Sequence, residues 1–235
     1  MPTLYQQTNF PFSLVRFACY FLREPSHLFN LFATQPSIRS LTIYEPDYPS
    51  YTRRYIRANP PLSILPNLTS IRANPLTIHS LVPGRPVSHA DSGSAILFNT
   101  TAYLFCESLK ESTAPSGIQS VAVCILETKF WTGASDFITR LAGVCGPCLK
   151  ELKLTTPDLS VGMARLGDYV ALVEVLVASL EGFTRLERFE FSDMQIEIMT
   201  PEILAEGLGS VGTLAFWQTR VPTLRNVTLF GVNLA

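Results

Sequence analysis

A six-residue apolar pattern, LxxLxL, recurs along the chain at intervals of roughly 30 to 50 residues. Its fourth and sixth positions are apolar and its third and fifth are mostly polar, which is typical of a strand with one buried face. The copies therefore predict short parallel strands. They begin at Ile38, Leu68, Ile118, Leu149, Leu186 and Leu224.

Segments with a helical period of apolar residues lie between these copies. They span Ser13 to Leu22, Thr101 to Glu111, Ser135 to Val144, Leu166 to Leu180 and Pro201 to Leu208. Ser135-Asp136 and Thr200 before Pro201 are suitable helix starts. Alternating helices and strands of this kind cannot bury their apolar faces alone, so the sequence predicts an α/β solenoid. We expect one repeat domain over residues 1–235, of about six units, with parallel strands on one face and helices on the other.

Two parts of the repeat pattern stay open. The longest gap between copies holds either a degenerate strand at Val87 to His89 or a surface loop, because turn residues flank it on both sides. The chain ends at Ala235 directly after its last copy, without a polar capping unit. A piece of a longer repeat array would end in the same way.

The charges of two neighbouring copies provide a test of the strand register. If the copies at Leu149 and Leu186 form adjacent strands, Glu151 faces Arg188 and Lys153 faces Glu190 on the outward face. Both pairs are of opposite sign, which favours this register.

The same alternation predicts which side chains cover the open face of the sheet. They are Ser40, Thr42, Ser70, Arg72, Glu151, Lys153, Arg188, Glu190, Asn226 and Thr228, with Tyr44 near the rim. A row of parallel strands offers a broad, rigid surface. The sequence therefore predicts a scaffold that binds a protein partner through this face and catalyses no reaction.

The repeats resemble leucine-rich-repeat proteins. The phrases Leu65 to Ile71 and Leu186 to Phe191 look like those of the fungal F-box-like repeat proteins. That resemblance implies substrate recognition for a ubiquitin ligase, with a ligase adaptor as one partner, although no convincing F-box precedes Ser13. The asparagine that leucine-rich repeats carry at the ninth position is absent, which favours irregular, longer helical repeats. The residues there are Pro46, Leu76, Leu126, Pro157, Met194 and Val232.

Cys145-Gly-Pro-Cys148 has the sequence of a thioredoxin active site, in which a helix N-terminus activates the first thiolate. Here the predicted helix precedes the motif and a strand follows it, so Cys145 would meet the negative end of the helix dipole. A structural turn is the favoured interpretation, and a thiol redox protein using Cys145 and Cys148 is the competing function.

The other motifs that could indicate catalysis or metal binding are less specific. Asp91-Ser-Gly-Ser94 resembles the aspartic-protease signature, but it occurs once and follows His89-Ala90 instead of an apolar strand, which indicates a polar turn. No nucleophile-elbow, zinc-protease, phosphate-loop or dinucleotide motif occurs. Cys19, Cys106 and Cys124 show no second paired spacing. We expect neither cofactor nor metal.

Composition and charge indicate which kinds of partner and which cellular compartment to expect. The sequence is 47% hydrophobic and 16% charged, but it has no clean apolar run long enough for a membrane span and no signal peptide at its start. A net charge of −1 without a basic cluster argues against nucleic acid. Five cysteines favour reduced thiols in the cytoplasm or nucleus. The aromatic residues expected in the core are Trp131, Trp217, Phe10, Phe12, Phe17, Phe21, Phe29 and Phe32.

Overall fold

The structure is a computed structural model. It describes residues 13–20, 25–44, 60–97, 99–125, 130–156, 166–193 and 200–234. These residues form a nine-stranded sheet whose strands lie side by side in the order in which they occur along the chain. All neighbouring strands are parallel except the last two, which form an antiparallel hairpin. The predicted α/β solenoid of parallel strands and helices is confirmed.

The strands are short, as the six-residue pattern requires. They are β1 (Arg16–Tyr20), β2 (Ser40–Tyr44), β3 (Ser70–Arg72), β4 (His89–Leu97), β5 (Ser120–Ile125), β6 (Glu151–Thr156), β7 (Arg188–Asp193), β8 (Asn226–Leu229) and β9 (Val232–Asn233). Each of the six predicted copies forms a strand. The helices are α1 (Pro25–Thr34), α2 (Pro75–Leu81), α3 (Asn99–Lys110), α4 (Phe130–Cys145), α5 (Leu166–Ser179), α6 (Pro201–Leu208) and α7 (Leu214–Gln218).

The helices lie on one side of the sheet. From α2 to α6, each helix packs against the next one along the chain. An unbroken order of parallel strands places the helices on one face when their crossovers share the usual right hand. The apolar side chains of the strands point to that side and are buried against the helices in one continuous core. Leu41, Leu152 and Val227, the fourth residues of three copies, are at most 1% exposed. The opposite face of the sheet is the open face.

The prediction of a helix from Ser13 to Leu22 is wrong, because part of this segment forms β1. Phe17 and Cys19 alternate with Arg16, Ala18 and Tyr20 on the two faces of that strand, which pairs with β2 along its whole length. The segment carries apolar residues at both helical and strand spacing. Local pattern alone does not separate the two, and pairing with β2 decides the outcome.

The open question in the long gap is also decided. A strand does lie there, but it begins at His89 and runs to Leu97. The predicted polar turn at Asp91 to Ser94 is wrong, because these residues lie inside β4 and form an irregularity in its pairing with β5. Gly93 has a φ of +64°, which L residues rarely adopt. Glycine and serine therefore mark a bulge within a strand.

Of the two predicted helix starts, one is confirmed and the other is wrong. Thr200 caps α6 as expected, and its hydroxyl accepts a hydrogen bond from the Ile203 amide. Ser135 does not cap α4, which begins at Phe130. The Ser135 hydroxyl instead contacts that of Ser179 on α5 at 2.7 Å. Helices α1, α2 and α7 were not predicted from the sequence.

The aromatic core is confirmed in part. Trp217 is fully buried, donates its indole N–H to the Val211 carbonyl at 3.1 Å and packs against Phe189. Phe32 is buried, whereas Phe17 and Phe29 are only half-buried. Phe10, Phe12, Phe21 and the side chain of Trp131 lie outside the described residues.

One buried cation, Arg85, joins two neighbouring segments of the chain. Arg85, between α2 and β4, is 1% exposed, and its guanidinium lies among backbone carbonyls. It donates to the carbonyl oxygens of Ile64, Leu81, Pro83, Pro60 and Pro61 at 2.8 to 3.4 Å. Burial lowers the pKa of Arg85, yet arginine stays charged in proteins. The fork of five donors joins the 60–68 loop to the end of α2.

Candidate functional site: the open face of the sheet

Two rows of outward side chains cross the eight parallel strands. The first row, in strand order, is Arg16, Ser40, Ser70, His89, Ser120, Glu151, Arg188 and Asn226. The second row is Ala18, Thr42, Arg72, Asp91, Ala122, Lys153, Glu190 and Thr228. None of these residues is buried. Both rows run across the sheet without a break in register.

Ten predicted face residues fall in these two rows, and Tyr44 lies one step further along β2. The structure therefore brings all eleven predicted residues together on one face. Tyr44 is 45% exposed and its ring stands 5.3 Å from that of Tyr20, which is 79% exposed. This exposed tyrosine pair forms the rim of the open face at β1 and β2.

The predicted charge pairs between β6 and β7 are present. Glu151 is the register partner of Arg188, and Lys153 is that of Glu190. The Lys153 ammonium lies 2.6 Å from the Glu190 carboxylate, and the Arg188 guanidinium contacts the Glu151 carboxylate. Together the four residues make a checkerboard in which each charge has opposite charges beside it. Because the side chains are roughly half exposed, each pair contributes only about 0 to 1 kcal/mol to stability.

A third ion pair lies at the middle of the open face, where the sequence analysis placed a turn. The Arg72 guanidinium is 3.5 Å from the Asp91 carboxylate. The other carboxylate oxygen of Asp91 accepts a hydrogen bond from the Gly93 amide at 2.7 Å. Ser92 is buried, and its hydroxyl accepts from the Cys124 amide of β5 at 3.2 Å. Side-chain oxygens thus hold the bulge of β4 in place.

Sequence reasoning missed six residues of the two rows. Ser120 and Ala122 occupy the third and fifth positions of a recognised copy, so the alternation rule already gave their place. His89 and Asp91 were missed because β4 begins with polar residues. Arg16 and Ala18 were missed because β1 was predicted to be helical.

The thiol alternative centres on the turn after α4. As predicted, a helix precedes the motif and a turn follows, although α4 ends at Cys145, one residue beyond the predicted end. Cys145 is buried, and burial raises the pKa of its thiol. Cys148 is half-buried, and burial raises the pKa of this thiol as well. Each thiol donates a hydrogen bond to a backbone carbonyl, Cys145 to Leu141 and Cys148 to Cys145. This environment stabilises neutral thiols and disfavours the thiolate that redox chemistry requires.

The glycine of the same motif has a packing role. A β-carbon on Gly146 would lie 2.4 Å from the Gly182 carbonyl oxygen, so only glycine fits between these two backbone segments. The Gly146 carbonyl also accepts a hydrogen bond from the Thr184 amide at 3.2 Å. The Cys145 to Cys148 turn therefore serves to join neighbouring repeats.

Among the residues that the structure describes, no group of three or more histidine, cysteine or acidic side chains could hold a metal ion. In the same residues, no helix is both long enough and apolar enough to cross a membrane.

Comparison with known proteins shows likeness to solved structures only, and that likeness is distant. No family profile and no curated protein matches the sequence. The structure is similar to the crystal structure of the leucine-rich repeat-containing protein LegL7 from Legionella pneumophila, with a TM-score of 0.42 and 11% identity, over 93% of this chain and 85% of that chain. So distant a likeness carries no information about function. None of the comparisons supports the fungal F-box-like type that the sequence phrases suggested.

Proposed function

We propose that the chain is a protein-binding scaffold whose recognition surface is the open face of the sheet. The observation that carries this proposal is the pair of exposed, mostly polar rows, in register across eight parallel strands and on the side away from the helices. Each strand is fixed by a neighbour on the sheet and by core packing behind it. Such a surface binds without first being ordered, which reduces the entropic cost of association.

The charges of the open face favour a protein over a polyanion. Four cations (Arg16, Arg72, Lys153 and Arg188) stand among three carboxylates, and each carboxylate forms an ion pair. This nearly neutral mixture gives little counterion release on nucleic acid. It offers fixed charges of both signs, and a partner with a mismatched pattern would bury unpaired charge. The role is one of binding and assigns no residue to catalysis.

A charge-swapped variant tests the proposal without removing any ion pair. In it, Glu151→Arg and Arg188→Glu are combined with Lys153→Glu and Glu190→Lys, so each pair is kept but its polarity is inverted. A matched control carries Glu181→Arg and Arg220→Glu, which invert an exposed ion pair between the segments that follow α5 and α7 and also conserve net charge. Partners captured by the wild-type chain and identified by mass spectrometry are compared between the variants.

We expect the swapped variant to unfold at the wild-type denaturant concentration and to lose the specific partners, while the control retains them. Unchanged recovery of every partner by a folded swapped variant would contradict the proposal. Simple reversal at Lys153 and Arg188, which places like charges side by side, is expected to lose the partners too.

A finer form of the proposal is substrate recognition for a ubiquitin ligase. Its support is the sequence resemblance of Leu65 to Ile71 and Leu186 to Phe191 to fungal F-box-like repeats. The sequence has five cysteines, an odd number that favours reduced thiols, as is typical of a cytoplasmic or nuclear protein. If this form holds, the capture experiment brings down a ligase adaptor with both the wild-type and the swapped chain, because an adaptor binds outside the open face. Capture of substrates without any adaptor leaves the general scaffold and removes the ligase role.

A further inference from the structure

The two edges of the sheet differ in whether another strand covers the outermost parallel strand. At the C-terminal end, β9 turns back at Phe230 and Gly231 and pairs antiparallel with β8, so the last parallel strand is covered. At the other end, β1 is the outermost strand formed by the described residues. Its five residues contain neither a proline nor a bulge, two of the devices by which proteins commonly protect a sheet edge, and Arg16 is the one charged residue among them.

The hydrogen bonds of β1 show which of its backbone groups point outward. The Val15 carbonyl accepts from the Ser40 amide of β2, and in a parallel pair the same alternation directs the backbone of Phe17 and Cys19 toward β2. The N–H and C=O groups of Arg16, Ala18 and Tyr20 therefore point away from the sheet. Their side chains are all exposed.

The core is also incomplete at this end. Phe17 belongs to a row of inward residues that continues through Leu41, Ile71, Ala90, Val121, Leu152, Phe189 and Val227. The other seven members are at most 2% exposed, whereas Phe17 is only half-buried. Leu14 and Phe29 beside it are half-buried as well. An apolar surface thus adjoins β1, the outermost strand that the described residues form.

We infer that β1 pairs antiparallel with β1 of a second copy of this chain, with the twofold axis at Ala18. In this register Ala18 faces its own counterpart, and Arg16 of each copy faces Tyr20 of the other. Arg16, Ala18 and Tyr20, whose backbone groups point outward, each face a residue of the second copy whose backbone groups also point toward the partner strand. This pairing gives about six main-chain hydrogen bonds. A shift of one residue would bring outward groups opposite inward ones and lose these bonds.

The side chains also agree with this pairing. At the axis stands the smallest side chain of the strand, so its two copies do not collide. The guanidinium of Arg16 meets a tyrosine ring instead of a second arginine, which permits a cation–π contact. On the other face, Phe17 lies opposite Cys19 of the second copy, which extends the apolar row across the axis. The strand is therefore complementary to itself in backbone, side-chain size and apolar surface.

The test uses the charge of one exposed residue in the full chain. Sedimentation velocity over a concentration series up to about 300 µM compares the wild type with Ala18→Lys, because a short two-strand interface is at the weak end of the size range. Lysine at the axis places two like charges opposite each other and should weaken the dimer roughly tenfold or more. Thr42→Lys adds the same charge one strand away and serves as the control.

We expect the wild type and Thr42→Lys to dimerise with similar dissociation constants and Ala18→Lys to be monomeric over the same range. An equimolar mixture of Ala18→Lys and Ala18→Glu should dimerise again, since only pairing at residue 18 brings the two new charges together. A wild type that stays monomeric throughout, or a mixture that does not recover, would overturn the inference. The charge-swapped open-face variant should still dimerise, so failure here is separate from failure of the proposed binding function.

Discussion

Replacement of Arg85 by methionine is expected to be among the most destabilising changes to a single side chain in this protein. Arg85 is 1% exposed, and its guanidinium donates to five backbone carbonyl oxygens, three in the 60–68 loop and two at or just after the end of α2. Methionine keeps the unbranched apolar stem, but it ends at about the position of the arginine Nε and offers no donor. The carbonyl oxygens of Ile64, Leu81 and Pro61 would then lose their nearest side-chain donor.

The size of the effect follows from two opposing terms. Hydrogen bonds to a charged donor contribute about 1.5 to 3 kcal/mol each. The desolvation of a buried ion offsets several kcal/mol of that sum, and removing it with the cation recovers part of the loss. We therefore expect Arg85→Met to reduce the free energy of unfolding by about 3 to 5 kcal/mol. Arg85→Lys keeps the charge but offers one nitrogen instead of a fork, and it should fall between.

Urea unfolding followed by circular dichroism gives this number, with Arg39→Met as the control. Arg39 is exposed, and the same chemical change there should alter stability by less than about 0.5 kcal/mol. Limited proteolysis adds a local readout, because cleavage within the 60–68 loop should accelerate in Arg85→Met. A loss below about 1 kcal/mol together with an unchanged cleavage rate would refute the reasoning.

Three further predictions concern the turn after α4, the buried thiols and the charge pairs. Gly146→Ala should cost about 1 to 3 kcal/mol because its β-carbon would meet the Gly182 carbonyl oxygen. Gly143→Ala, in the last turn of α4 and in open space, should instead stabilise the protein by about 0.5 to 1 kcal/mol. Equal effects of the two substitutions in urea unfolding would contradict the packing role of Gly146. Burial raises the pKa of Cys106 to about 12, so the contribution of this neutral thiol to stability is fully present below the pKa of the unfolded thiol and decreases as the pH rises from about 9 toward 12. The free energy of unfolding should therefore fall less between pH 7 and pH 10 in Cys106→Ala than in the wild type. Equal decreases in the two proteins would contradict this prediction. The coupling between Lys153 and Glu190 in a double-mutant cycle should lie below about 1 kcal/mol, and a value of several kcal/mol would show that the pair is far better shielded from water than its exposure indicates.

The sequence predicted the strands that form the core well because their signal is repeated. Each copy places an apolar residue at the fourth position, and Leu152 and Phe189 show how that position becomes an inward side chain in register with its neighbours. The charge pairs of β6 and β7 followed from the same register. A repeated pattern averages over local irregularity, which is why these parts of the face could be derived without a structure.

The parts that could not be predicted are those in which tertiary pairing overrides local pattern. β1 has residues at both helical and strand spacing, and its pairing with β2 decides between them. β4 begins with polar residues, and a bulge held by Asp91 and Ser92 interrupts its pairing with β5. Some helices were missed although their signals were local. Asn74 before Pro75 is a suitable cap for α2, and its side chain does accept a hydrogen bond from the Thr77 amide.

The role of the open face is tested most directly by photo-crosslinking to a partner that the capture experiment has identified. A photoreactive amino acid replaces Ser120, at the centre of the first row, or Ala178, on the exposed side of α5. If the open face is the recognition surface, irradiation crosslinks the partner from position 120 and not from position 178. Crosslinking from position 178 alone would place the contact on the helical side and contradict the account.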